Sequence, residues 1–189
     1  MAISIEKLLR GTEFTETDKK LILKGIMQVA KADGVLDPRE QAYIKKFVTE
    51  FFPEADLEDD SLSETITSEE LSMLSSDDAK RCFVAFLTIT AYADEDFSKE
   101  EREFLKTLFK DLLNEEEIAN IQHSVRIFLY RRTVFSFALK NLYLHPEFAQ
   151  KMAERFDIST DEAIEVNQGV FNALMVLKPI EQNDKQAES

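Results

Sequence analysis

The sequence predicts an all-α fold: an internally duplicated bundle of helical hairpins with about seven to nine helices. Three observations predict it. The 189 residues contain only four Gly and four Pro, which favours long helices over turn-rich sheet. Apolar residues recur at helical spacing through most of the chain. Third, an eleven-residue stretch occurs twice at a constant offset of 61, as Ala30-Lys-Ala-Asp-Gly-Val-Leu-Asp-Pro-Arg-Glu40 and as Ala91-Tyr-Ala-Asp-Glu-Asp-Phe-Ser-Lys-Glu-Glu101.

The apolar fraction of 44% is that of a globular chain able to bury a core. A formal charge of -14 disfavours nucleic acid, whose phosphates would be repelled, and suits a cation, a basic partner or solubility alone. Cys82 is the single cysteine, so no intrachain disulfide can form and a reduced compartment is expected. No apolar run has the length of a membrane span, and the N-terminus lacks the basic-then-apolar order of a signal peptide. A cytoplasmic protein with no direct membrane insertion is the expectation.

Residues 1–14 supply a short apolar start with Ile3, Ile5, Leu8 and Leu9. Thr15 or Thr17 can then cap a helix running to about Asp33, with Ile22, Ile26, Val29 and Ala30 on its inner stripe. Asp33 continues that stripe by one turn, at a helix end whose partial negative charge disfavours a carboxylate. A nearby donor, a basic side chain or a cation should compensate it. Gly34 can end the helix in the left-handed conformation. Asp37, Pro38 and Glu40 have the order of a helix start, and the helix that follows carries Tyr43, Ile44, Phe47, Val48 and Phe51 until Pro53 ends it.

Between Lys46 and Lys80 the chain holds eleven acids and no Lys or Arg. Such a run reads as a solvated, partly mobile surface, or more sharply as a docking surface for a basic partner. Thr67-Ser-Glu-Glu70 resembles a capping box, so a short helix with Leu71, Met73 and Leu74 should interrupt it. Ser76 or Asp77 can cap the next helix, which runs to about Asp94 with Phe83, Leu87 and Thr90 in the places of Ile22, Ile26 and Val29. Cys82 reads there as a small core residue. Ser98-Lys-Glu-Glu101 is a second capping box, opening a helix with Phe104, Leu105, Leu108, Phe109 and Leu112.

Aligning 22–52 with 83–113 gives five identities, two of them carboxylates: Asp33 with Asp94 and Glu40 with Glu101. Chance similarity between helices would keep the apolar rhythm, not acids at a helix end. After Asn114 the charge balance reverses: residues 122–156 carry six Lys or Arg against two acids. The apolar run from Ile127 to Leu144, interrupted by Arg131 and Arg132, reads as a central helix buried by the two hairpins, or as one whose outer side meets another subunit. His145-Pro146 ends it, a short helix runs through Phe156, and Ser159 to Glu162 cap a last helix with Ile164, Val166, Val170, Phe171, Leu174 and Leu177.

The expected layout is one domain over residues 1–178 and a flexible tail at 179–189. Within the domain lie repeat one at 15–53, the connector at 54–76, repeat two at 77–113 and C-terminal helices at 114–178. Two hairpins about a pseudo-twofold would bring Asp33, Glu40, Asp94 and Glu101 together. Carboxylates held that close must be protonated, paired or bound to a cation, and all-oxygen ligands suit Ca²⁺, Mg²⁺ or Mn²⁺. Asp37 and Asp96 are further candidates; caps and salt bridges without a metal are the plainer account. A calcium loop at Asp94 fails because Lys99 stands where Gly is required. There is no Glu-x-x-His, no zinc spacing about His123 or His145, no phosphate loop and no nucleophile–base set. No enzyme activity and no organic cofactor are expected.

Ala32-Asp33-Gly34 with Leu36, Asp37 and Glu40, and Ala93-Asp94 with Phe97, Ser98 and Glu101, resemble the TerB-like family of tellurite-resistance proteins and the related N-terminal region of membrane-anchored DnaJ-type co-chaperones. Glu95 stands where the second copy should have Gly. The resemblance covers about residues 15–115. It implies a duplicated all-helical fold, an acidic metal site at Asp33, Glu40, Asp94 and Glu101, and a stress-linked sensor or adaptor with a protein partner. The alternative is a metal-independent interaction module using the acidic connector or the apolar helix around Phe128 to Tyr143. A homo-oligomer is compatible with either.

Overall fold

The computed structural model describes residues 3–32, 38–56, 62, 64–92 and 99–177; for Arg39, Glu40, Lys99, Glu100, Glu101 and Leu177 it describes the helical backbone alone. The protein is all-α. Nine helices are found among the described residues: α1 (Ile5–Gly11), α2 (Glu16–Ala30), α3 (Pro38–Phe51), α4 (Ser68–Leu71), α5 (Asp77–Ala91), α6 (Lys99–Phe109), α7 (Glu115–Asn141), α8 (Pro146–Arg155) and α9 (Thr160–Leu177). The chain divides into two compact units, residues 1–125 and 126–189, and the division falls inside α7. None of these helices is long and apolar enough to cross a membrane.

Local chemistry accounts for the helix starts. Thr15 caps α2, its hydroxyl accepting from the Asp18 N–H while Asp18 accepts from the Thr15 N–H. Thr67 and Glu70 make the same reciprocal box at α4, Ser76 caps α5, and Ser159 with Glu162 closes the box at α9. Pro38 and Pro146 stand at the first positions of α3 and α8, where a missing N–H costs nothing. The α2 helix stops at Ala30, one turn short of the expected Asp33. The N–H groups of Lys31 and Ala32 turn back to Gln28 and Val29, and these three-residue bonds tighten the last turn and end it.

In the first unit α5 is the helix buried on all sides. Every residue from Cys82 to Ala91 is buried and none is charged. The Thr88 and Thr90 hydroxyls donate to the Val84 and Phe86 carbonyls within α5, so both are satisfied without water. α2 packs on one side, closest at Gly25, where a Cβ would lie 2.9 Å from a Leu87 methyl and 3.1 Å from the Phe83 ring. On another side Phe86 meets Phe14, Phe47, Phe51 and Phe52, with centroids 5.3–6.2 Å apart. The Cys82 thiol faces the Thr12 hydroxyl after α1.

This placement corrects the expected central helix. The second half of α7 exposes Arg131, Arg132, Leu139 and Lys140 and buries Tyr130, Val134 and Ala138. Charges on one side of a helix keep that side in water, whereas the Cys82–Ala91 segment has none to keep out. In the second unit, the Tyr130 hydroxyl donates to the Asn167 side chain of α9, Phe137 stacks on Phe148 of α8, and Arg126 pairs with Asp157.

Candidate functional site

Apolar pairs related by the offset of 61 are buried at both members, among them Ile22 and Phe83, Ile26 and Leu87, Ile44 and Leu105, Phe47 and Leu108, and Val48 and Phe109, and buried Val29 corresponds to buried Thr90. At these positions the two segments match in burial. The match fails elsewhere: Ile89 and Ala91 are buried where Gln28 and Ala30 are half-buried, and Gly25, where α5 comes close, corresponds to Phe86, which fills the aromatic cluster.

The direction of α2 relative to α5 follows from two contacts. At their starts, Asp18 accepts from the Ser75 N–H at 2.8 Å and the Ser75 hydroxyl at 2.6 Å. Further along both, Gly25 lies against Phe83 and Leu87. From the first contact to the second both chains advance in the same sense. At the far end of α2, Met27, Gln28, Lys31 and Ala32 line a cavity of about 280 Å³ with Leu62, Thr65 and Phe104, the last from α6. Side chains of α2, the connector and α6 thus share one end of the unit.

Asp33 and Asp94 lie outside the described residues, as do Asp37, Asp96, Gly34 and the caps expected at Asp37 and Ser98. Glu40 is in the first turn of α3 and Glu101 in that of α6, and only their backbone is described. Among the described residues no cluster of three or more His, Cys, Asp or Glu is placed to hold a metal ion.

The described connector residues are anchored along α2. Leu62, Ile66, Leu71 and Leu74 are buried. Ser75 bonds to Asp18, Glu70 pairs with Lys24 at 2.8 Å, Glu64 approaches the same ammonium at 3.6 Å, and the Glu64 carbonyl accepts from the Gln28 side chain. The connector thus runs antiparallel to α2, as a strap. Two of its partners carry charge inside the protein: Lys24 is 2% exposed and Asp18 fully buried.

The electrostatics follow from these bonds. Burial pushes the Asp18 carboxyl up, but the bonds from Ser75 and Thr15 together outweigh it and hold it below the ordinary carboxylate value. The Lys24 hydrogen bond, followed by the Thr67 N–H, lowers Glu70. The Glu117 and Asp78 carboxylates raise Arg81 further. Burial pushes the Cys82 thiol up to about 11, which makes it a core residue and a poor nucleophile at neutral pH.

Sequence reasoning passed over Asp18, Lys24 and Gln28. The first two left signals: Thr15-x-x-Asp18 has capping-box spacing, and Lys24 interrupts the apolar run Leu21 to Ile26. Gln28 left none; its Oε1 is buried with no hydrogen-bond partner at the edge of the cavity.

No family model matches the chain, and comparison with curated proteins and with solved structures finds no match.

Proposed function

We propose that this chain is a non-enzymatic, TerB-like protein that binds a divalent cation, Ca²⁺, Mg²⁺ or Mn²⁺, through Asp33, Glu40, Asp94 and Glu101, and serves as a stress-linked sensor or adaptor. The observation that carries the reading is the matched burial of the two hairpins combined with the common sense of α2 and α5. Helices that start together and run together deliver both of their C-terminal turns to one end of the unit. The acidic motifs follow those turns in sequence. The unpaired Gln28 Oε1 at that end is an oxygen of the kind hard cations take. Tellurite and cytoplasmic location come from the resemblance and from composition.

Thermal unfolding of chelator-treated protein, with and without each ion, tests the reading. An ion that binds only the folded state at a hundredfold excess over its dissociation constant stabilises by about 2.7 kcal/mol. A selective rise in midpoint that disappears in the double variant Asp33→Asn, Asp94→Asn is expected. No rise with any ion, with the double variant as stable as the parent, removes the cation.

A second reading, a metal-independent interaction module, is favoured by exposed apolar side chains in the second unit, Leu139, Leu142 and Tyr143 among them. It predicts partner binding that survives chelator.

A further inference from the structure

The corner between α7 and α8 breaks two local rules at once. Leu142, the first residue after α7, has φ 58°, in the left-handed region. Gly or Asn normally takes this position, because a Cβ there crowds the backbone. Asp157, the second residue after α8, has φ 51° and is of a type that tolerates it. Leu142 also places its side chain in water, 69% exposed, beside Tyr143 at 56% and Leu139 at 42%. A strained backbone that presents an apolar side chain to solvent gains nothing for the fold. Such conflicts concentrate at functional positions.

Charge identifies what would cover the corner. The stretch 126–156 has six Lys or Arg against two acids, in a chain of formal charge -14. Lys140 is exposed beside Leu139 at the end of α7 and Arg131 is exposed more than two turns earlier, and neither pairs with a described acid. An apolar centre next to Lys140, in a stretch with an excess of base, complements an acidic amphipathic segment. An anionic membrane is the poorer fit, because its extended surface charge repels a chain of formal charge -14.

We propose that the α7–α8 corner, centred on Leu139, Leu142 and Tyr143, with Lys140 beside it and Arg131 further back along α7, docks an acidic amphipathic segment of a partner protein. This deepens the interaction reading and is independent of the cation in the first unit, which the unfolding assay tests separately.

Leu142→Gly is the informative variant: it relieves the left-handed strain while deleting the side chain, so its thermal midpoint should equal or exceed the parent's. A displayed random-peptide library is selected against the full chain, and enriched peptides are synthesised and titrated against parent, Leu142→Gly and Leu139→Ser. The expected result is acidic peptides with apolar residues at helical spacing. Their affinity should fall about tenfold in each variant and weaken with added salt. Failure to enrich such peptides, or equal binding to parent and variants, overturns the proposal. So does binding of the parent to phosphatidylserine vesicles in place of the peptides, or self-association in sedimentation that Leu142→Gly abolishes.

Discussion

Asp18 concentrates more structural responsibility than any other described side chain. Its carboxylate accepts from the N–H and hydroxyl of Thr15, at 2.9 and 2.7 Å, and from the same two groups of Ser75, at 2.8 and 2.6 Å. One residue therefore caps α2 and ties the end of the connector to it. Asp18→Ala leaves buried donors unpaired and is expected to cost about 2–4 kcal/mol by denaturant unfolding. The pH dependence has a definite sign. The folded carboxyl lies below the ordinary value of 3.8, so its contribution is fully present above that value and is lost as pH falls through the folded one. Parent stability should thus drop between neutral pH and pH values under about 4, and Asp18→Asn should show a smaller drop. An identical pH profile in both would refute the assignment.

At the scale of elements, the seam between α2 and α5 and the strap across α2 make separate predictions. Gly25→Val puts branched carbons where Leu87 and Phe83 already leave 2.9–3.1 Å for a Cβ. Both neighbours are fully buried, so the overpacking should cost about 2–3 kcal/mol despite the better helix propensity of Val. Lys24 tests the strap. Its ammonium is buried, whereas Glu70 is about one-third exposed and Glu64 largely so, which screens the pair. Lys24→Ala should cost about 2 kcal/mol through lost packing and an abandoned carboxylate, and Lys24→Met about 1 kcal/mol or less, since it keeps the stem. Equal losses would show that the charge, not the stem, matters. Hydrogen exchange at residues 64–75 should speed up in Lys24→Ala if the strap depends on this anchor.

At the scale of the whole molecule, charge dominates. A formal charge of -14 loads the folded state with repulsion, most of it within residues 1–125, where the acids far outnumber the bases. Moderate NaCl should therefore raise the thermal midpoint, because screening relieves repulsion more than it weakens the exposed ion pairs. A midpoint that falls with salt would mean that the pairs outweigh the repulsion. Chelator-treated protein should show the larger rise, since any cation at the acidic turns would already have removed part of that repulsion.

The helices and several of their starts were legible in the sequence because they depend on local chemistry, whereas the end of α2 at Ala30 and the start of α7 at Glu115 were not. Capping boxes at Thr67 and Ser159, Pro at the starts of α3 and α8, and apolar stripes at helical spacing act within a few residues. The recurrence of Asp33 and Glu40 as Asp94 and Glu101 is read from the sequence alone, since Asp33 and Asp94 lie outside the described residues and only the backbone of Glu40 and Glu101 is described. The tertiary structure decided what depends on distant partners. It made α5 rather than α7 the enclosed helix, since burial on all sides requires neighbours that periodicity does not name. It anchored the described part of the acidic run, residues 64–75, as a strap, because the buried Lys24 and the Ser75–Asp18 bonds join residues 40 to 57 positions apart. It also set Leu142 in a left-handed turn facing water, a backbone choice that the identity of the residue alone argues against.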